Sequence, residues 1–155
     1  MKIKAKVLRL VLIGIILFVI SNMVIDNLLY MNPIIRQVFE EYANHPAMKS
    51  MDYFGGMSNW LLINTGFSIL FLAFLIILYK FLYNILPGKG LVKGLSYGIF
   101  ICLIKIIPEA FNQYMLLNYP TILILIQMLL NSISIIIFGL LLSFLFNKFK
   151  IITDK

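Results

Sequence analysis

Four long apolar stretches, separated by polar segments, dominate the sequence. Their approximate bounds are 8–28, 60–82, 94–117 and 121–146. Each is long enough to cross the roughly 30 Å of hydrocarbon in a bilayer, which takes about 20 helical residues. Each must be helical, because an isolated strand would leave its backbone N–H and C=O groups unpaired in lipid. The pattern therefore predicts an all-α integral membrane protein, with residues 1–155 forming a single four-helix bundle.

The segment between the first two stretches has a different periodicity. Pro33 suits the first turn of a helix, and apolar residues then recur on one face, with charged and amide side chains elsewhere: Ile34, Ile35, Val38, Phe39 and Tyr42. This pattern predicts a short amphipathic helix over about 33–44, lying in the outer membrane interface. It should end before Pro46, because the residue that precedes a proline disfavours helical geometry.

Composition strengthens the membrane assignment. Apolar residues make up 62% of the chain and charged residues only 12%, whereas about a quarter of the residues in a soluble domain are charged. Membrane lipid is therefore the expected surrounding. The net charge of +7 would favour nucleic acid if the basic residues formed a patch on a soluble fold. Here they lie at the ends of the apolar stretches, so no nucleic-acid partner is expected.

The basic residues also predict how the chain is oriented. Ten of them lie before the first stretch, around the second connection or after the fourth stretch: Lys2, Lys4, Lys6, Arg9, Lys80, Lys89, Lys93, Lys148, Lys150 and Lys155. All ten fall on one side if the helices alternate in direction. By the positive-inside rule that side is the cytoplasm. The expected location is the cell membrane, with the N- and C-termini cytoplasmic.

The third stretch contains two charged residues, Lys105 and Glu109. Each costs about 2.5–3.5 kcal/mol at a membrane centre, and roughly ten apolar residues at about 0.3–0.6 kcal/mol each offset that cost. We therefore expect this helix to insert with help from its neighbours. An ionisable residue inside a membrane is a candidate functional residue because of this cost. A purely structural ion pair is the alternative.

Small and polar residues share one face of the third helix, at about 100° per residue: Gly94, Gly98, Lys105, Glu109 and Asn112. Glycines four residues apart allow another helix to approach closely, so this face should point into the bundle. Pro108 removes one backbone hydrogen bond and pushes against the carbonyl of Ile104. A proline of this kind also rotates the residues beyond it.

The other predicted helices carry polar residues that fall in the outer half of the bundle or near its midplane under this topology: Asn22, Asp26, Asn64, Ser68, Gln127, Asn131 and Ser134. They outline a polar pocket that opens outward, with the inner half closed by Leu, Ile and Phe. Asp26 is a candidate partner for Lys105, because a lysine four residues before a glutamate is the less favourable order on one helix. The predicted ligand-binding residues are Lys105, Glu109, Asp26, Asn112, Gln127 and Asn131. For the amide and hydroxyl side chains, the alternative is hydrogen bonding between helices, at about 0.6 kcal/mol each.

The sequence contains no hydrolase triad, dithiol pair, zinc motif or dinucleotide loop, so neither an enzyme nor a cofactor is expected. The leading hypothesis is a protein that binds or passes a small polar or ionic solute through the outer-half pocket. Four helices are few for alternating access, so a transporter would be a homodimer. One alternative is an accessory or scaffold subunit that pairs with another membrane subunit. A third is a sensor whose amphipathic helix responds to a ligand or to the lipid surface.

Overall fold

The computed structural model describes residues 2–21 and 26–151, with side chains described for 9–21, 27–50 and 52–151. It contains seven α-helices within these ranges: α1 (Lys2–Phe18), α2 (Asp26–Tyr30), α3 (Pro33–Glu41), α4 (Met57–Leu82), α5 (Leu91–Ile101), α6 (Ile107–Leu116) and α7 (Thr121–Lys148). A π-helical turn, Cys102–Ile106, joins α5 to α6, and a 3-10 turn, Met51–Phe54, precedes α4. The described part of the chain contains no strand, which confirms the all-α prediction.

Three helical segments are long and apolar enough to cross a membrane: Met57–Leu82, Leu91–Leu116 and Thr121–Lys148. Their bounds lie within three residues of the predicted 60–82, 94–117 and 121–146. The third predicted stretch is thus helical throughout despite Lys105 and Glu109. These three helices indicate a membrane protein.

The predicted first helix, 8–28, is divided between two elements. Its apolar helical part runs over Arg9–Ser21, and α2 begins at Asp26. Residues 22–25, including the predicted polar residue Asn22, lie outside the described residues. The described part of α1 packs against α4 and α7.

The long helices alternate in direction, and their ends form two groups. At one end, Arg9 Nη1 donates to the carbonyl of Phe149 at 3.0 Å, and Ser143 Oγ donates to the carbonyl of Gly90 at 2.7 Å. We call this the basic end, because it holds Lys80, Lys89, Lys93, Lys148 and Lys150. At the other end, the Tyr119 hydroxyl donates to Met48 Sδ at 3.4 Å. We call this the loop end; it holds α3 and residues 118–120.

The closest helix contact joins α5 to α7 through glycines. A Cβ atom placed on Gly94 would collide with the carbonyl oxygen of Gly139 and lie 2.7 Å from Ser143 Cβ. A Cβ atom on Gly98 would lie 2.8 Å from the Cα atom of Ile136. The predicted close approach at Gly94 and Gly98 is therefore confirmed, and the helix that approaches is α7.

The π-helical turn changes the direction in which the residues beyond it point. The Ile107 N–H bonds to the carbonyl of Cys102, five residues earlier, directly before Pro108, which has no N–H to donate. A π turn holds one residue more than an α turn, so α6 is rotated by about 100° from the register of α5. The glycines of α5 therefore face α7, whereas Asn112 of α6 is exposed.

Aromatic residues close the basic end of the bundle. The Tyr79 ring makes edge-to-face contacts with the rings of Tyr83, Tyr97 and Phe146 at centroid distances of 5.6, 5.0 and 5.1 Å. Lys93, only 8% exposed, places Nζ 3.8 Å from the centroid of the Tyr83 ring. Leu, Ile and Phe residues make up most of the core, as predicted, and three tyrosines that the prediction did not include are buried among them: Tyr79, Tyr83 and Tyr97. The Tyr97 hydroxyl can be buried there because it donates to the Leu75 carbonyl at 2.6 Å, which satisfies its polar group.

The predicted amphipathic segment over 33–44 contains α3, which begins at Pro33 and ends at Glu41. Asn32 caps it, since its side chain accepts a hydrogen bond from the Ile34 N–H at 3.0 Å. The Phe39 ring lies 5.9 Å from that of Tyr30. The apolar side of α3 is thus turned toward α2, and α3 also contacts α7. The chain then enters α4 through Gly55 and Gly56, whose φ angles of 79° and 97° suit glycine.

Candidate functional site

Ser21, three residues after the end of α1, borders a cleft of about 200 Å³ together with residues from α4, the π turn and α7. Much of the wall is apolar, and its polar residues come from four different parts of the chain: Ser21, Ser68, Lys105, Asn131 and Ser134. The cleft is therefore a polar cavity between helices that are otherwise apolar.

The cleft lies near the middle of the bundle. Its lining residues on α7 extend from Asn131 to Phe138, about 15–26 Å along a helix that is about 42 Å long. On its basic-end side, the bundle is closed by the aromatic residues around Tyr79. The cleft is therefore not confined to the half of the bundle in which the sequence predicts a polar pocket.

Lys105 contacts both Glu109 and an aromatic ring. Its Nζ atom lies 2.9 Å from Glu109 Oε2 and 5.2 Å from the centroid of the Phe71 ring. Sequence order favoured Asp26 as a partner of Lys105, and the structure pairs Lys105 with Glu109. The side chain of Asp26 lies outside the described residues. Lys105 lines the cleft and Glu109 does not, so the ion pair forms part of the wall with lysine on the cleft side.

Glu109 also borders a narrow gap between α6 and α7. Gln113, Gln127 and Asn131 line the same gap, whose volume is about 10 Å³. A cavity of this size is at the lower limit for one water molecule. The gap is too small to hold a solute. Glu109 can therefore act on a solute only through its ion pair with Lys105 or from the outer face of α6.

Asn112 lies away from the cleft. It shares an open depression on the outer face of α6 with Lys105, Pro108 and Glu109. The π turn explains this position, because the predicted common face of Gly94, Lys105 and Asn112 assumes a continuous α-helical register. Of the predicted site residues, Asn131 therefore lies on the cleft side of the ion pair and Asn112 lies on its outer side.

The two amide side chains of α7 have different surroundings. Gln127 Nε2 donates to the Tyr119 hydroxyl at 3.1 Å, which connects α7 to the turn before it. Asn131 lines the cleft, and its Oδ1 accepts a hydrogen bond from the Tyr30 hydroxyl at 3.0 Å. Gln127 therefore stabilises the loop end, whereas Asn131 lies where a solute would contact it.

Ser21 is the cleft residue that the sequence-based prediction missed. Its Oγ atom is buried and has no hydrogen-bond partner among the described residues. Leaving a buried polar group unsatisfied costs about 1–3 kcal/mol. The sequence pattern indicates this position only weakly, because Ser21 ends an apolar run and stands beside Asn22. Ser68 and Ser134 stood among the predicted polar positions but not among the predicted ligands, and Tyr30 gave no signal.

The cleft offers one ammonium group together with hydroxyl and amide groups. These groups can donate hydrogen bonds to the oxygens of an anion or of a carbonyl compound. Among the residues that the structure describes, no three His, Cys, Asp or Glu side chains are grouped to hold a metal ion.

The fold and the cleft define the class: an all-helical membrane protein with a polar cleft between its helices. The sequence matches no protein-family model, and no curated protein and no solved structure matches the chain. Its function must therefore be argued from the cleft.

Proposed function

We propose that this small multi-pass membrane protein binds or passes a small polar or ionic solute through the cleft. The observation that carries the proposal is that the side chains of Lys105 and Asn131, which come from two different helical segments, line one cavity. Keeping an ionisable group among membrane helices is costly, which marks such a group as functional by default. In this proposal α1 and α2 belong to a fourth crossing, which completes the four-helix bundle.

The groups around the cleft have distinct roles in this proposal. Lys105 attracts an anionic or carbonyl oxygen, while Glu109 keeps the amine charged and oriented when no solute is bound. Asn131, Ser68 and Ser134 supply hydrogen bonds that select the solute. The step is binding and movement alone, with no covalent chemistry and no cofactor. Because Lys105 also borders the outer depression that holds Asn112, a solute leaving the cleft there passes the ion pair.

Ligand-dependent stability tests the proposal. The Lys105→Met/Glu109→Gln variant should lose the stabilisation that a bound solute gives, because its cleft no longer offers a charge. Purified protein would be melted with chloride, phosphate, acetate and a panel of amino acids. Wild type should gain about 2.7 kcal/mol at a hundredfold excess of solute over its Kd.

Arg36→Met/Glu40→Gln is the matched control. It removes an ion pair of the same spacing from α3, where both side chains are well exposed, and it should respond to the solute as wild type does. The proposal fails if no compound stabilises wild type, or if one stabilises wild type and the Lys105→Met/Glu109→Gln variant equally.

We also propose that the basic end faces the cytoplasm, together with both termini, and that α3 lies in the outer interface. In a Cys102→Ser background, Asp52→Cys should react with a membrane-impermeant maleimide on intact cells. Lys89→Cys, at the basic end, should react only after lysis. Cys102 is the single cysteine of the chain, so the background carries no other thiol. The opposite labelling pattern would reverse the orientation, and equal labelling of both positions would contradict alternating helices.

The alternative, an accessory or scaffold subunit, rests on the loop-end half of α4. Its apolar side chains there are exposed, including Leu62 at 72% and Leu70 at 72%. Such a face suits another membrane helix as well as lipid. Purification in mild detergent separates the two proposals. A stoichiometric membrane partner without any solute response favours the accessory role, whereas a monomer or homodimer that responds to a solute favours the cleft.

A further inference from the structure

A second cavity, separate from the polar cleft, lies between α1 and α4. It is an open groove of about 650 Å³, within the range of small-molecule sites. Among the residues whose side chains are described, its wall is apolar apart from one charged residue, Lys80. Gly14 of α1 and Ala73 of α4 are its smallest lining residues, and they leave room between the larger side chains. The groove therefore matches an alkyl chain rather than the polar solute of the cleft.

The length and position of the groove correspond to one membrane leaflet. On α4 it extends from Ile69 to Phe81, about 18 Å along the helix axis. Half of a typical hydrocarbon core is about 15 Å. Its charged residue lies at the basic end, where the headgroups of that leaflet would lie. An acyl chain placed in the groove would thus bring its phosphate to Lys80.

Lys80 is available to such a phosphate. It is exposed, in the last turn of α4, and among the described residues it makes no hydrogen bond, ion pair or ring contact. Lys93 and Lys148, at the same end, instead lie over the rings of Tyr83 and Phe144. Arg9, next to the groove residue Leu10, uses Nη1 for the Phe149 carbonyl and keeps other N–H donors. Positive charge therefore gathers at one end of an apolar groove.

We propose that the groove between α1 and α4 is a binding site for an anionic phospholipid. One acyl chain lies between the helices, and the phosphate contacts Lys80. Basic pockets between membrane helices on the cytoplasmic side bind acidic headgroups for the same reason. An apolar partner helix would gain nothing from the lysine, and a soluble anion would gain nothing from the groove.

The test compares dioleoyl phosphatidylglycerol with dioleoyl phosphatidylcholine, which differ only in the headgroup. Binding of each lipid to the full-length protein in detergent would be measured by native mass spectrometry. The protein should bind one molecule of phosphatidylglycerol, and it should bind this lipid more tightly than phosphatidylcholine. Lys80→Gln should weaken that binding about fivefold, corresponding to about 1 kcal/mol for one basic residue near a headgroup. Lys148→Gln, the same charge change at the same end, should leave it unchanged.

A second pair of variants tests the apolar part of the site. Ala73→Phe should lower the binding of both lipids by filling the groove, whereas Leu70→Phe, on α4 outside the groove, should not. Lys80→Gln gives an independent readout if Ala73→Phe fails to fold.

Four outcomes would overturn the lipid site. They are equal binding of the two lipids to wild type, equal losses in Lys80→Gln and Lys148→Gln, normal binding by a folded Ala73→Phe variant, and glycerol phosphate binding as tightly as the lipid. The last would indicate a site for a free anion.

Discussion

Gly139→Leu should prevent α5 and α7 from packing and should cost about 3 kcal/mol or more of stability. A Cβ atom at Gly139 would lie 3.1 Å from the Gly98 nitrogen and 3.3 Å from its Cα, and would collide with the carbonyl of Gly94. These neighbours are backbone atoms of a helix, which cannot move aside as a side chain can. Overpacking a tight interior costs about 1–3 kcal/mol, and the leucine adds three further carbon atoms to the clash. The two helices must therefore separate.

Gly66→Leu is the matched control, because a Cβ atom at Gly66 meets no atom within 4 Å. It should change stability by less than about 0.5 kcal/mol apart from a small gain in helix propensity. Unfolding of the full chain in detergent, followed by circular dichroism, measures both variants, and size-exclusion chromatography reports whether each is monodisperse. Equal stability of the two variants would show that Gly139 is not at a close helix contact.

Lys105→Met alone should cost about 2–3 kcal/mol, more than removing both members of the ion pair. The single change leaves the Glu109 carboxylate beside apolar helices without the amine that lies 2.9 Å away. A charge inside a membrane costs about 2.5–3.5 kcal/mol. Lys105→Met/Glu109→Gln should recover most of this loss, because no unpaired charge then remains. The expected order of stability is wild type and double variant together, with Lys105→Met below them.

The Arg36–Glu40 pair on α3 provides a comparison of the same chemistry at a more exposed position. It has the same i,i+4 spacing and an N–O distance of 2.7 Å, and its side chains are 64% and 62% exposed, against 37% and 45% for Lys105 and Glu109. Exposed pairs of this kind contribute about 0.3–0.5 kcal/mol. A double-mutant cycle on each pair, by denaturant unfolding in bicelles, gives the two coupling energies. Equal coupling energies would mean that Lys105 and Glu109 lie in water-like surroundings, which contradicts their place in the wall of a membrane cleft.

The long helices were predictable because lipid allows few alternatives. A run of about 20 apolar residues in a bilayer must be helical to satisfy its own backbone, and the ends of α4 and α7 follow from where those runs stop. For the first segment, predicted to be helical over 8–28, the structure describes an apolar helical part over Arg9–Ser21 and a helix that begins at Asp26. Residues 22–25 lie outside the described part.

The candidate site was predictable only in part, because it depends on tertiary structure. Lys105 and Asn131 do meet at one cavity. Asn112 does not join them, because a helical wheel assumes 3.6 residues per turn and the π turn before Pro108 breaks that count. Pro108 predicts an irregularity in the helix, but whether the helix bends or takes a π turn depends on its packing against α7.

The basic end shows the same limit for aromatic residues. Tyr97 is fully buried, which a sequence pattern does not predict for a side chain with a hydroxyl group. Its burial depends on the carbonyl of Leu75, 22 residues earlier in the chain. Spacing along one helix cannot reveal a hydrogen bond between two helices, so the tyrosines that fill this end could not be inferred.

The π turn at Cys102–Ile106 also makes the orientation of the residues beyond it sensitive to the length of this helix. Deleting one residue within it would restore an α-helical register and turn every side chain from Ile107 to Leu116 by about 100°. Glu109 would then move away from its present side of the helix, while the glycine contact of α5 with α7 would stay as it is. In this helix a single insertion or deletion can change the direction of a charged group without any substitution. Homologous chains that differ in length by one residue here would therefore present different groups to the cleft, even with identical side chains elsewhere.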